Sequence, residues 1–202
     1  MISLEEYRSG HTEKGVGGYS YFVPSLVNDQ WQWKNPQINA LLEKAAVKLG
    51  ELNSFAHLVP NIDLFIQLHV TKEAVISSRI EGTQTKIDEA LLPEEDIQPE
   101  RKNDWKEVNN YIKALNQAVS ALETLPISSR LLRQTHATLL DSVRGAHKQP
   151  GEFRTSQNWI GGSSPADAVF VPPHHQYVAP LMGDLEYFLH NQDIAVVCIT
   201  TI

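Results

Sequence analysis

The first candidate functional residues in this sequence are a carboxylate and a glycine at the end of a predicted helix. The stretch "VISSRIEGTQT" (75–85) places Ser77, Glu81 and Gly82 at the end of an apolar-periodic helix. Gly82 is well placed to be the left-handed residue that terminates it. An acid is mildly unfavourable near a helix C-terminus, so Glu81 is either a solvated residue or one aimed at a cationic partner. Ser77 lies one turn earlier on the same face and could support Glu81 with a hydrogen bond.

Other familiar catalytic and ligand-binding patterns do not occur. The stretches "GVGG" and "IGGSS" lack the lysine and the strand–helix context of a phosphate-binding loop. His174 and His175 are adjacent, so they point in different directions, and nothing near them suggests a third ligand; no metal site is predicted. Serine, histidine and aspartate are available for a hydrolase triad, but the sequence has no strained nucleophile turn.

Composition limits the classes of partner and the cellular location. The chain has 202 residues, a net charge of −7 and one cysteine, Cys198. An acidic chain without a dense Lys/Arg cluster is not expected to bind nucleic acid broadly. The apolar run at 194–202 is far shorter than the roughly 20 residues that span a bilayer, and the N-terminus has no apolar signal core. We therefore expect a soluble protein with no membrane partner, and the single cysteine favours a reducing cytoplasm.

Sequence periodicity predicts a mainly α fold with one β-hairpin. Residues 1–35 are rich in glycine and aromatic side chains without a helical period, which predicts an extended N-terminal arm. Residues 36–92 show apolar spacings of three and four, which predict an N-terminal helical region that includes the helix ending at Gly82. Residues 93–104 contain two prolines and seven charges and are predicted to form a linker.

The second half of the chain is predicted to be helical around a hairpin. Residues 105–193 carry apolar stripes before and after a non-helical stretch. Within that stretch, "NWI" and "AVFV" flank "GGSSPAD", which predicts a β-hairpin over 157–171. Residues 194–202 lose both the helical period and the charge pattern, and their β-branched residues suit a helix poorly, so they form an aberrant tail.

Two of these features carry a resemblance to a known family. "SSRIEG" resembles the inhibitory-helix motif Ser/Thr–x–x–x–Glu–Gly/Asn of the Fic (filamentation induced by cAMP) family, matched by Ser77, Glu81 and Gly82. "KQPGEFRTSQNWIGGSSPADAVFVPPHHQYVAPLMGDLEYFLHN" (148–191) resembles the segment ahead of the Fic active site, including the hairpin called the flap. The likeness covers roughly residues 15–193, with both motifs in the family's order.

The resemblance implies a fold and an activity. It implies a Fic-type helical bundle that transfers AMP from ATP, with Mg²⁺, to a Ser, Thr or Tyr hydroxyl of a target protein. In the family motif His–x–Phe–x–Asp/Glu–Gly–Asn–Gly–Arg–x–x–Arg, the histidine takes the hydroxyl proton and the acid holds Mg²⁺. The inhibitory glutamate pairs with the second arginine and displaces the γ-phosphate, which would make Glu81, with Ser77 and Gly82, the residues that act on the nucleotide site.

The same resemblance implies a binding role for the hairpin. The flap of a Fic protein is expected to clamp a target peptide by strand addition. The residues expected to take part are Trp159, Ile160, Gly161, Val169, Phe170 and Val171. Arg154 is expected to anchor the loop before the hairpin.

The sequence departs from the family pattern where the catalytic motif is expected. None of its eight histidines opens that motif, and Gly–Asn–Gly–Arg does not occur. We therefore assign no catalytic residue and expect this chain to bind neither ATP nor Mg²⁺ by itself. The simplest explanation is a truncation or frameshift before the active site, which reading the coding DNA past codon 194 in the other frames would test.

Two functional classes stay open, and a third is weaker. The chain is the N-terminal part of a self-inhibited AMP transferase, or it is a non-catalytic helical module that binds a partner or supplies an inhibitory helix in trans. The weaker alternative is a decayed remnant that folds poorly. Missing helices would leave apolar faces of 131–140 and 178–189 uncovered, so we expect self-association. The sequence does not identify the target protein.

Overall fold

The computed structural model of the protein describes residues 2–80, 82–141 and 149–193. The chain divides into two compact units, Met1–Glu51 with Phe153–Ile202 and Leu52–Glu152. These boundaries differ from those of the predicted domains, because the first unit combines the N-terminal arm with the segment that contains the flap.

The described residues are mainly α-helical, and the predicted fold class is confirmed. The helices are α1 (Pro36–Ala56), α2 (Ile62–Ile80), α3 (Ile87–Ala90), α4 (Lys102–Ala121), α5 (Ser129–Leu139) and α6 (Val178–His190). The strands are β1 (Ile2–Ser3), β2 (Gly10–Lys14), β3 (Ser20–Pro24) and β4 (Trp31–Gln32). The tail at 194–202 lies outside the described residues.

The second unit is a small helical assembly in which α4 packs against both α2 and α5. Its core contains Ala74 and Val75 of α2, Ala90 of α3 and Val108 of α4, all at most 5% exposed. Helix α5 begins at a serine cap, because the Ser128 side chain accepts a hydrogen bond from the Leu131 N–H at 3.3 Å.

The predicted linker is more ordered than its charges and prolines suggest. Glu94–Asp96 and Pro99–Arg101 form two 3₁₀ turns that lead directly into α4. Ile97 between them is buried, with 7% of its surface exposed. The segment is therefore fixed by an apolar anchor rather than being fully solvated.

Helix α2 carries several exposed apolar side chains. The buried residues of α2 are in its second half, Thr71, Ala74 and Val75. In its first half, Leu64 and Ile66 are about half exposed. Helix α2 thus exposes more apolar side chains than the 131–140 face, where Leu132 is 42% exposed.

In the first unit the arm is folded back on itself rather than simply extended. Strands β2 and β3 form an antiparallel pair from Gly10↔Pro24 to Lys14↔Ser20, and β1 pairs with β4 in parallel. The reversal between β2 and β3 uses Gly17 and Gly18 at φ +95° and +86°, a conformation that favours glycine.

Helix α6 holds the arm through one carboxylate. An Asp184 oxygen accepts the backbone N–H of Val27 at 2.6 Å and lies 3.4 Å from the Asn28 N–H. The Asn191 side-chain amide also donates to the Asn28 side-chain oxygen at 2.8 Å. These contacts explain why the arm and the chain after residue 153 form one compact unit.

Candidate functional site

The sequence around Gly82 ends α2 in a defined backbone motif. The Gly82 N–H donates to the Arg79 carbonyl and the Thr83 N–H to the Ser78 carbonyl, both at 3.1 Å. Gly82 has φ +99°, so the two bonds and the left-handed glycine form a Schellman motif. The prediction that Gly82 terminates the helix is confirmed.

Ser77 makes a hydrogen bond within its own helix. Its hydroxyl donates to a Glu73 carboxylate oxygen at 2.6 Å, one turn towards the N-terminus. Glu81, the residue that the sequence suggests Ser77 would support, lies outside the described residues. The structure thus places Ser77 and Gly82 at the end of one helix, and the role of Glu81 stays a prediction.

The chain that follows Gly82 is tied to the beginning of α4. The Gln84 N–H donates to Asp104 at 2.9 Å, and the Arg101 guanidinium donates to the Gln84 carbonyl at 2.6 Å. Arg101 also pairs with Glu89 at 2.6 Å, and the Trp105 indole N–H donates to the Glu89 carbonyl at 3.1 Å. These contacts fix the direction in which the chain leaves the helix end.

Substituting Gly82 with alanine is expected to lower the free energy of unfolding by about 1–2 kcal/mol, the cost of a left-handed conformation for a residue with a Cβ. A Cβ at Gly82 would meet nothing within 4 Å, so backbone strain alone determines the effect. Gly50→Ala is the matched control, because Gly50 lies inside α1 and its Cβ would also meet open space.

The control is expected to stabilise the protein by about 0.5–1 kcal/mol, since alanine is the better helix former. Urea unfolding followed by circular dichroism measures both changes. Shifts of the same sign for the two variants would contradict the assignment of the cap.

The flap forms around a single β-bridge between Ile160 and Phe170. The Ile160 N–H donates to the Phe170 carbonyl at 2.8 Å, and the Val169 N–H donates to the Ile160 carbonyl at 2.9 Å. Within the part of the chain that the structure describes, the backbone groups of Trp159 and Gly161 make no hydrogen bond. The backbone groups of Trp159 are therefore open to a partner strand, whereas Gly161, at φ +71°, already belongs to the turn.

The predicted flap residues differ in exposure. The side chains of Ile160 and Val169 are 63% and 86% exposed, and those of Trp159 and Phe170 are about 40% exposed. Val171 is different: it is 6% exposed and belongs to an apolar cluster with Tyr21 and Val23. The structure brings all six residues together, but it makes Val171 a supporting residue with no side-chain surface for a target.

The turn of the flap is organised by Asp167. Its carboxylate accepts the N–H and hydroxyl of Ser163 at 2.9 and 3.0 Å, and both groups of Ser164 at 2.7 Å. Gly161 and Gly162 both have φ +71°, which lets the chain reverse before these serines.

These hydrogen bonds favour the ionised form of Asp167. The Ser163 N–H, with the Ser164 hydroxyl next in effect, holds the pKa of Asp167 well below its usual range. A lowered folded-state pKa means that this carboxylate stabilises the turn above the ordinary aspartate pKa. That contribution is lost only as the pH falls through the lowered value.

The base of the flap is fastened to the chain that leaves it. Arg154 donates to the carbonyls of Pro173 and of Ser156, the latter at 3.1 Å, which confirms its predicted anchoring role. The Gln157 side-chain amide donates to the Pro172 carbonyl at 3.0 Å. The two ends of the hairpin are thereby held together.

Among residues 2–80, 82–141 and 149–193, no group of three His, Cys, Asp or Glu side chains is arranged to hold a metal ion. None of the helices described is both long and apolar enough to cross a membrane.

Sequence reasoning missed the contributions of Asp167 and Glu13. Asp167 had a local signal, because an aspartate three and four residues after two serines can accept hydrogen bonds from their backbone and hydroxyl groups. Glu13 had no such local signal, because it accepts a hydrogen bond from the hydroxyl of Tyr177, which is far away in the sequence. Only folding brings the Glu13 carboxylate and the Tyr177 hydroxyl together.

Comparison with known proteins identifies one region of the chain. No curated protein matches the chain. Residues 39–120 match the family model described as Fic/DOC family N-terminal, a range that includes the SSRIEG motif at the end of α2. The flap lies outside the matched range. The match confirms the resemblance to the Fic family: the chain contains a Fic/DOC family N-terminal region.

Proposed function

We propose that this chain is the N-terminal regulatory part of a Fic-type protein adenylyltransferase. In that reaction the target's hydroxyl oxygen attacks the α-phosphorus of ATP, pyrophosphate leaves with Mg²⁺, and the hydroxyl proton passes to the catalytic histidine. The observation that carries the proposal is the family match over 39–120, which contains the inhibitory motif. The chain would contribute the inhibitory helix and the target-binding flap.

Inhibition by Glu81 requires a helix end with a defined direction. The Schellman motif at Gly82, the hydrogen bond from the Gln84 N–H to Asp104 and the one from Arg101 to the Gln84 carbonyl fix the chain just after SSRIEG. A carboxylate carried by such an end can meet an arginine at low entropic cost, because little freedom is left to lose. This rigidity supports the proposal that Glu81 competes with the γ-phosphate for that arginine.

Target binding by the flap requires an open edge with apolar neighbours. Trp159 leaves its backbone groups without partners in the described chain, and an extended peptide can pair with them as an added strand. The exposed side chains of Ile160 and Val169 would contact alternate residues of that peptide. These features support an extended protein segment as the target.

The nucleotide requirement gives a direct test. The 202 residues contain no Gly–Asn–Gly–Arg phosphate cradle, so isothermal calorimetry with Mg²⁺ and ATP at millimolar concentration is expected to show no binding to this chain. Residues 1–193 with Glu81→Gln, which removes the proposed inhibition, joined to the catalytic segment of a Fic enzyme are expected to bind ATP and to transfer labelled AMP to protein.

The joined protein with its catalytic histidine changed to alanine is the control, since it keeps the phosphate cradle but lacks the base. A micromolar dissociation constant for the chain alone would contradict the expectation that it lacks a nucleotide site. A joined Glu81→Gln protein that folds and binds ATP but transfers no AMP would contradict the proposed function.

A non-catalytic module that supplies its inhibitory helix in trans is the second candidate. It is favoured by the exposed apolar side chains in the first half of α2, which offer a surface to a partner. The two candidates differ when the intact chain is added to a Fic enzyme whose own inhibitory segment has been removed. Only the second predicts that AMP transfer falls, and that Glu81→Gln cancels the fall.

A further inference from the structure

We propose that the hairpin β2–β3 is the support that holds the flap in position, with Glu13 as a positioning residue. The inference rests on the proposed function only for the flap's role in target binding. Its physical basis lies entirely within the first unit, in contacts between the N-terminal arm and residues 168–177.

The flap and the arm are joined by a backbone hydrogen bond. The Phe22 N–H of β3 donates to the Val171 carbonyl at 2.9 Å, and the rings of Phe22 and Phe170 lie with centroids 6.4 Å apart. Residues 169–171 therefore lie between residues 159–161 on one side and β3 on the other. Residues 169–171 thus connect the β-bridge of the flap to the arm.

The same contact gives the flap its apolar core. Tyr21, Val23 and Val171 are each 6–7% exposed, and Ala168 and Tyr177 pack against them. A two-stranded hairpin alone is marginally stable in water, whereas a third strand with a shared apolar face makes it persist. The arm is therefore what allows this flap to hold one conformation.

Glu13 links the arm to both ends of this core. Its carboxylate accepts the Tyr21 hydroxyl at 2.7 Å across the β2–β3 pair and the Tyr177 hydroxyl at 3.0 Å, and His11 approaches it at 3.0 Å. Tyr177 lies in the 3₁₀ turn that precedes α6, six residues after Val171. One carboxylate thus fixes the arm against the chain that leaves the flap.

The tyrosine hydroxyls keep this carboxylate ionised. The Tyr21 hydroxyl, with His11 and Tyr177 behind it, lowers the pKa of Glu13 from its usual value. The same hydrogen bond raises the pKa of Tyr21 to about 12. Tyr21 therefore remains a donor and Glu13 an acceptor over the neutral pH range.

Amide hydrogen exchange on the full chain, measured by NMR, tests the proposal. Glu13→Ala is expected to raise the exchange rates of the Phe22, Ile160 and Phe170 amides by about tenfold, the effect of losing a charge-assisted hydrogen bond. Glu13→Gln should recover part of the protection, since its amide oxygen can still accept a tyrosine hydroxyl. Glu6→Ala, at an exposed acid of the same arm, is the matched control and should change nothing.

Two reference amides separate positioning from general destabilisation. Phe188 reports on α6 in the same unit and Val108 on the core of the other unit, and both side chains are buried. The proposal expects the flap amides to respond while these two do not. An unchanged flap in Glu13→Ala, or equal acceleration at Phe188 and the flap, would overturn it.

This measurement involves neither nucleotide nor target, so its outcome is independent of the AMP-transfer assay. Selective loosening of the flap supports the positioning role even where the joined protein transfers no AMP. In that case the proposed function alone fails. Conversely, active AMP transfer with unresponsive flap amides rejects the role of Glu13 and leaves the proposed function in place.

Discussion

Replacing Glu81 with glutamine is expected to raise AMP transfer at least about tenfold in the protein that joins residues 1–193 to a Fic catalytic segment. The substitution keeps the side-chain shape and removes the charge that we propose binds the arginine of the γ-phosphate site. Removing one partner of a largely buried ion pair typically costs about 3–5 kcal/mol of interaction free energy. Here the substitution would free the arginine to bind the γ-phosphate of ATP. The rate of AMP transfer would therefore rise.

Glu73→Gln is the matched control for this experiment. Glu73 is an acid on the same helix, and as glutamine it can still accept the Ser77 hydroxyl that it binds at 2.6 Å. We expect the control to leave AMP transfer unchanged. The rate is measured with ATP labelled at the α-phosphate, and equal rates for Glu81→Gln and the unsubstituted protein would reject the inhibitory role of Glu81.

Local sequence signals predicted the features that depend on neighbouring residues. A glycine after an apolar-periodic stretch predicted the end of α2, and the structure has Gly82 there with φ +99°. Two β-prone runs around a glycine- and serine-rich turn predicted the flap, and Ile160 pairs with Phe170 as expected. In both cases the residues that determine the structure are close in the sequence, within one helical turn or one hairpin. The pattern is therefore visible in the sequence.

Contacts between distant segments could not be predicted in this way. The bond from Phe22 to Val171 and the one from Val27 to Asp184 join chain segments about 150 residues apart. No periodicity marks such pairs, because each partner also fits a solvated surface. Val171 was therefore expected to contact a target, whereas the folded chain uses it to hold the flap to the arm.

The predicted linker shows how composition can mislead. Its prolines and charges favour a solvated loop, yet Arg101 binds both the Gln84 carbonyl and Glu89, and Ile97 is buried. Charged residues in a short connection can be structural when the opposite charge lies on the preceding helix. The apparent linker is thus part of the fixed segment that follows the SSRIEG stretch.

Substituting Gly162 with alanine is expected to abolish the flap turn while leaving the helical unit intact. Its φ of +71° costs a residue with a Cβ about 1–2 kcal/mol. Its Cβ would also lie 2.5 Å from the Asp167 backbone carbonyl oxygen, a clash that adds about 1–3 kcal/mol. Since both atoms belong to the turn itself, relief requires the turn to open.

Two measurements follow the opening of the turn. Protection of the Ile160 and Phe170 amides from hydrogen exchange should fall by at least about thirtyfold or disappear. The pKa of Asp167, followed by carbon NMR of its carboxyl group, should rise towards the ordinary aspartate value of about 3.9 as the four serine donors are lost. Retained protection together with a still-lowered pKa would contradict this account of the turn.

Gly18→Ala separates backbone strain from the clash. Gly18 also has a positive φ, +86°, in a hairpin turn of the same unit, but a Cβ there would meet nothing within 4 Å. It should therefore cost only the strain of about 1–2 kcal/mol. If Gly18→Ala loosened the flap as much as Gly162→Ala, the clash would be irrelevant. A clearly smaller loss of flap protection in Gly18→Ala than in Gly162→Ala means that contact with Asp167 determines the flap turn.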